Sequence, residues 1–186
     1  MENFEPQAAA KRRKLPLWVY VVSFTVLIGF LVLIGKQLMN TSSGPIAIGQ
    51  KVPEITLTTF DGALISSEDL AGKVVVLNFW ASWCKPCEQE AAELEQAWQM
   101  YKDSGQVVFL GVDWTDTEPE ARAYLEKFNI SYPNGPDLRT RLGDLFRITG
   151  VPETYFINPE GELAYVKKGP FLSLQEIQTV LDSMIQ

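Results

Sequence analysis

The stretch "NFWASWCKPCEQE", Asn78 to Glu90, holds both cysteines of the chain, Cys84 and Cys87, in a protein that has no histidine. Just before it, "VVVLNFW", Val74 to Trp80, is a near-continuous apolar run rich in β-branched and aromatic residues, the pattern of a central strand covered on both faces. Just after it, Cys87, Ala91, Leu94, Trp98 and Tyr101 recur at spacings of four and three, which is one face of an amphipathic helix. A Cys-x-x-Cys pair therefore sits where a buried strand hands over to a helix.

Four uses of two cysteines can be weighed. Structural zinc needs about four ligands, mainly Cys and His, and this chain supplies two thiols and no imidazole. Covalent c-type haem needs a histidine after the second cysteine, and Glu88 stands there. A structural disulfide gains with loop length, and this loop is minimal. A redox dithiol fits better, because free N–H groups and the dipole at a helix start favour a thiolate. Position assigns the roles: Cys84, before the helix, is expected to be the accessible nucleophile, and Cys87, on the apolar stripe, the resolving thiol. Pro86 suits the first turn, where its missing N–H is not needed. Lys85 adds positive charge beside the thiolate, and Trp83 flanks Cys84.

Upstream, "LPLWVYVVSFTVLIGFLVLIG", Leu15 to Gly35, carries no charge and is long enough to span about 30 Å of hydrocarbon as a helix. "KRRK", Lys11 to Lys14, precedes it and Lys36 follows, so the positive-inside bias places the N-terminus in the cytoplasm and the rest of the chain outside it. A cleaved signal peptide would have a shorter apolar core and a small-residue cleavage site. The expected organisation is a basic cytoplasmic tail at 1–14, a single-pass anchor at 15–35, a tether at 36–46 and one domain at 47–186. The net charge of −7 argues against nucleic acid as partner, since phosphate binding needs a basic surface.

Within the domain, "EITLTTFDG" alternates and turns at Asp61-Gly62, reading as an opening hairpin. "QVVFLGVD" is a second buried strand, "EPEARAYLEKF" and "DLRTRLGDLF" read as helices, and "ETYFIN" with "ELAYVKK" as a hairpin. A last helix opens at Ser173, with Glu176 completing a capping box. This order predicts an α/β fold with parallel crossovers and a terminal antiparallel hairpin.

The dithiol stretch, preceded by "LAGKVVVL" and followed by "GVPETYFINPEGEL", resembles the membrane-anchored thioredoxin-like thiol-disulfide oxidoreductases of the TlpA/ResA type, including those that serve cytochrome c maturation. The resemblance covers about residues 47–186. It implies a thioredoxin-like fold: a central mixed sheet flanked by helices, with an N-terminal hairpin and a helical insertion from Trp114 to Phe146. It implies a cis Val151–Pro152 bond facing the dithiol, which leaves the Val151 backbone free to pair with a client strand. It also marks Glu90 as the acid that exchanges a proton with Cys87. Ordinary thioredoxins carry a buried carboxylate six residues before the first cysteine; Asn78 stands there and cannot titrate, which leaves that work to Glu90, with Glu153 as the other nearby acid.

The implied partners are an oxidised client, such as an apocytochrome c Cys-x-x-Cys-His site, and a membrane thiol-electron donor; no cofactor is implied. Reduction is favoured over oxidation, although potentials on this scaffold run from about −270 to −120 mV. Two alternatives are carried. A thiol peroxidase would place Pro and Thr or Ser where Leu77 and Ala81 stand. A non-catalytic module would bind clients or Cu(I) through its two soft ligands.

Overall fold

In a computed structural model, residues 16–41 and 45–185 are described. The basic tail at 1–14, Leu15 and the middle of the expected tether, 42–44, lie outside them. The chain divides into two units, 1–43 and 44–186.

Among its described residues the first unit is one helix, α1 (Leu17–Thr41). Its stretch from Leu17 to Lys36 has a mean hydropathy of 2.6 and none of it is buried in protein, so it is long and apolar enough to cross a membrane. The helix continues past the expected boundary at Gly35. Lys36 to Met39 are all good helix formers, so the apolar segment does not break where its charge-free run ends.

The second unit begins with a hairpin, β1 (Thr56–Thr58) and β2 (Leu64–Ser66), paired antiparallel. A single-turn helix, α2 (Ser67–Leu70), follows, closed by a capping box between Ser66 and Asp69. Next come β3 (Val74–Trp80), α3 (Lys85–Tyr101), β4 (Val107–Asp113), α4 (Glu118–Lys127), β5 (Asn134–Pro136), α5 (Arg141–Phe146), β6 (Glu153–Ile157), β7 (Leu163–Lys168) and α6 (Leu174–Asp182). The five-stranded sheet runs β5-β4-β3-β6-β7. β3, β4 and β5 are parallel, while β6 and β7 run antiparallel to their neighbours.

β3 is central and all seven of its residues are buried, as its unbroken apolar run requires. On one face, Leu94 and Ala97 of α3 pack with Phe156, Phe171, Ile177 and Leu181. On the other, Leu77 and Phe79 meet Leu57, Leu142, Phe146 and Tyr155. Burying this apolar area on both sides fixes the C-terminal end of β3, and with it the loop that carries Cys84.

Three local expectations are corrected. Residues 138–140 form a kinked 3₁₀ turn, with Arg139 and Thr140 at φ 61° and 54°, and regular helix begins only at Arg141. The cause is Asp137, whose carboxylate accepts the N–H groups of Leu142 (2.8 Å) and Gly143 (2.7 Å) and so starts the helix there. The insertion between β4 and β6 is not purely helical, because Asn134–Pro136 pairs with Gly111–Asp113 as an edge strand. Finally, α6 starts after Ser173 but no capping box forms. Glu176 turns instead to Lys167, at 2.8 Å.

Candidate active site

Beyond Trp80 the chain leaves the sheet, and the N–H of Ser82 donates to the Asp116 carboxylate. Helix α3 then begins with Cys84 as its N-cap and Pro86 in the first turn. The Cys84 sulfur accepts the N–H of Cys87 at 3.1 Å, so the helix start is aimed at that sulfur. The two sulfurs are bonded to each other at 2.08 Å, and the dithiol stands in its oxidised form.

Both cysteines are covered: Cys84 is 3% exposed and Cys87 1%. This corrects the expectation of an accessible Cys84. Its sulfur lies 3.5 Å from the Val151 carbonyl, and Val151, Trp80, Ala81, Ala91 and Tyr124 pack around the pair. Exposure comes from beside it. Trp83 is 59% exposed and leans on Trp114, with ring centroids 6.5 Å apart.

The Val151–Pro152 bond is cis. Val151 precedes β6 and belongs to no strand ladder. Pro86, Val151, Pro152, Lys168, Gly169 and Pro170 line a groove of about 240 Å³ alongside the dithiol. Glu153 also lines this groove and ties its wall together. Its carboxylate accepts from the Thr149 N–H (2.9 Å) and the Tyr155 hydroxyl (2.7 Å), with the Lys168 ammonium 3.5 Å away. Burial pushes the Glu153 pKa up, but the bonds from Thr149 and Tyr155 and the charge of Lys168 outweigh it, and the net shift is downward. Glu153 therefore stays ionised at neutral pH and braces the loop, rather than offering a second proton route.

Glu90 differs in kind. A glutamate near a helix start is ordinarily a surface residue favoured by the dipole, yet Glu90 is 1% exposed. It lies one turn beyond Cys87 on the buried face of α3. One oxygen accepts from the Asn78 amide at 2.8 Å and the other from the Phe171 N–H at 3.0 Å. Asn78 donates as well to the Thr154 hydroxyl at 3.0 Å. Burial lifts the Glu90 pKa to about 7 against the pull of those two donors and of Lys167. An acid that titrates near neutrality, held a turn from a thiol, can accept and return that thiol's proton.

Lys85 is exposed and pairs with Glu88 at 3.1 Å, which also binds Lys127 at 3.1 Å. Its charge is neutralised locally and screened by water. Phe171, Thr154 and Asp116 were not legible as site residues. They reach the site through strand register and loop returns, and no local motif marks them.

A bonded Cys-x-x-Cys at a helix start, a cis-proline wall and a buried acid below define a thioredoxin-like dithiol centre. The comparisons agree. Residues 48–166 match the AhpC/TSA family. The chain is 30% identical over 141 residues to the thiol-disulfide oxidoreductase ResA of Oceanobacillus iheyensis, covering 74% of this chain and 72% of that protein. It is 30% identical over 169 residues to the thioredoxin-like protein YneN of Bacillus subtilis, covering 89% and 96%. Among solved structures, MTB dsbF in its mixed oxidized and reduced forms matches with a TM-score of 0.66 at 28% identity, over 72% of this chain and 99% of that one. The chain belongs to the AhpC/TSA family and, within it, to the thioredoxin-like thiol-disulfide oxidoreductases.

Proposed function

We propose that the chain is a membrane-anchored reductase of extracytoplasmic disulfides, with Cys84 as nucleophile, Cys87 as resolving thiol and Glu90 as the base that serves Cys87. The observation that carries this reading is the buried Glu90 one turn from Cys87, with its pKa lifted to about 7. In the forward reaction the Cys84 thiolate attacks one sulfur of a client disulfide. The first client thiolate leaves, and a mixed disulfide remains. Glu90 takes the Cys87 proton, and the Cys87 thiolate attacks the Cys84 sulfur. The second client thiolate leaves, and the protein keeps the Cys84–Cys87 disulfide. Two electrons pass to the client, and a membrane thiol-electron donor must return them.

The groove beside Val151 and Pro152 suits an extended client segment, since the Val151 backbone is outside the sheet ladder. The resemblance to cytochrome c maturation proteins makes an apocytochrome c Cys-x-x-Cys-His site the client of first choice. Peroxide reduction is disfavoured by Leu77 and Ala81, which stand where a thiol peroxidase carries Pro and Thr or Ser. Reduced protein mixed with an oxidised Cys-x-x-Cys-His peptide should leave the peptide as dithiol and itself as disulfide, read by alkylation and mass spectrometry. A peptide left oxidised beside a fully reduced protein would remove the client assignment.

The orientation follows from Lys11 to Lys14 preceding the apolar helix. Protease added outside the cell membrane should digest the domain and spare the N-terminus; a domain protected from it would reverse the topology.

A further inference from the structure

Asn78, Thr154 and Lys167 occupy one row across three neighbouring strands, Asn78 opposite Thr154 and Thr154 opposite Lys167. Glu90 meets this row at its buried end, through Asn78. Lys167 stands at the other end, on the edge strand, and is half-buried. Its ammonium is 2.8 Å from the Glu176 carboxylate of α6 and 5.3 Å from the centre of the Phe171 ring. The backbone N–H of that same Phe171 donates to Glu90 at 3.0 Å. One residue thus joins the cation at the sheet edge to the acid below the dithiol. Its neighbours Gly169 and Pro170 line the client groove.

We propose that Lys167 is a positioning residue for dithiol exchange: clamped by Glu176, it holds Phe171, and with it the backbone N–H that donates to Glu90, in place. The proposal rests on the reading of Glu90 as the base for Cys87. It also explains why Glu176 leaves the end of α6 uncapped by its side chain: the carboxylate is engaged with Lys167.

The charged and titratable groups around Glu90 come from several elements. Cys87 and Glu93 share α3 with it, Lys167 comes from β7, Tyr124 from α4 and Tyr132 from the turn before β5. Glu176 reaches it only by way of Lys167. Tyr124 and Tyr132 are pushed far up by burial and stay neutral. Glu93 repels a charge on Glu90, and Lys167 is the cation that favours it.

The test uses the full chain in detergent with carbon-13 labelled glutamate, the Glu90 signal being identified by its loss in Glu90→Gln. Lys167→Met keeps the aliphatic stem on Phe171 and removes the charge, Lys167→Gln does so with a polar end, and Lys167→Arg keeps the charge. The Glu90 midpoint should rise by about half a unit to one unit in Lys167→Met and Lys167→Gln, and stay near wild type in Lys167→Arg. The pH profile of the Cys87 resolving step should move by the same amount. An unmoved midpoint in both neutral variants, or an equal shift in Lys167→Arg, overturns the proposal. A midpoint that moves while the kinetic profile stays fixed, in Glu90→Gln as well, overturns it differently: the reading of Glu90 as base has failed, and the electrostatic link has not.

Discussion

With Cys87 replaced by serine, the protein should accumulate as a mixed disulfide with its clients, joined through Cys84, while the Cys84→Ser protein should capture none. The asymmetry comes from the position of the two sulfurs. Cys84 is the N-cap of α3, receives the Cys87 N–H and lies 3.5 Å from the Val151 carbonyl at the groove wall. Cys87 lies inside the helix; both cysteines are covered, so the distinction is their position along α3 and against the groove wall, not exposure. Attack on a client disulfide needs only the first sulfur, whereas release of the client needs the second. Without Cys87 the mixed disulfide has no internal exit, so trapped complexes should dominate under conditions where the wild type shows almost none. Non-reducing gels followed by mass spectrometry of the linked peptides would read the result. Equal trapping by both variants would overturn the assignment of roles.

Glu90→Gln should slow the step in which Cys87 resolves the mixed disulfide by about 100- to 10,000-fold, the usual worth of a positioned acid or base. It should also flatten the pH dependence of that step around pH 7. The carboxylate form accepts the Cys87 proton above the Glu90 pKa of about 7. Below it Glu90 is already protonated, so the wild-type rate should fall as pH drops through that value.

The substitution also acts on stability. A carboxyl whose pKa rises from 4.5 to about 7 on folding stabilises the fold while it is protonated. That contribution is complete below about 4.5 and is lost as pH rises toward 7, a change of roughly 3 kcal/mol. The amide does not ionise, so the stability difference between wild type and Glu90→Gln should drift by that amount across the same window and level off above it. The amide carries its own cost, because its NH₂ group faces one of the two donors, Asn78 or Phe171, that the carboxylate now accepts. Stopped-flow fluorescence of Trp83, combined with denaturant titrations at several pH values, separates the kinetic and stability effects. An unchanged rate and pH profile would reduce Glu90 to a structural carboxylate.

What the sequence reveals and what it hides follow from the range of the forces involved. β3 and the apolar stripe of α3 are legible because burial on two faces, or on one, imprints a period on consecutive residues. The dithiol is legible because its chemistry needs two cysteines at a fixed local spacing. The fate of Glu90 is set by Phe171, 81 residues away, and by Asn78 on a different element. Near a helix start a glutamate looks like a surface residue favoured by the dipole, and nothing local betrays its burial. Asn134–Pro136 hides as a strand because Asn, Gly and Pro are turn formers, and only pairing with β4 straightens them. At α6 the Ser173 boundary is readable, while the use of Glu176 is decided by Lys167 across a tertiary contact. Local chemistry predicts the element, and long-range electrostatics chooses the partner.

Whether Cys84 and Cys87 form a dithiol that donates electrons to clients is decided by the reduction potential of the pair. The full chain in detergent would be equilibrated in graded thiol-disulfide buffers, quenched by alkylation and counted by mass. One two-electron transition is expected at the reducing end of the scaffold's range, about −270 mV, and it should be lost in either cysteine variant. A transition near about −120 mV would make the protein an oxidase, and the absence of any two-electron transition would remove the dithiol from its chemistry.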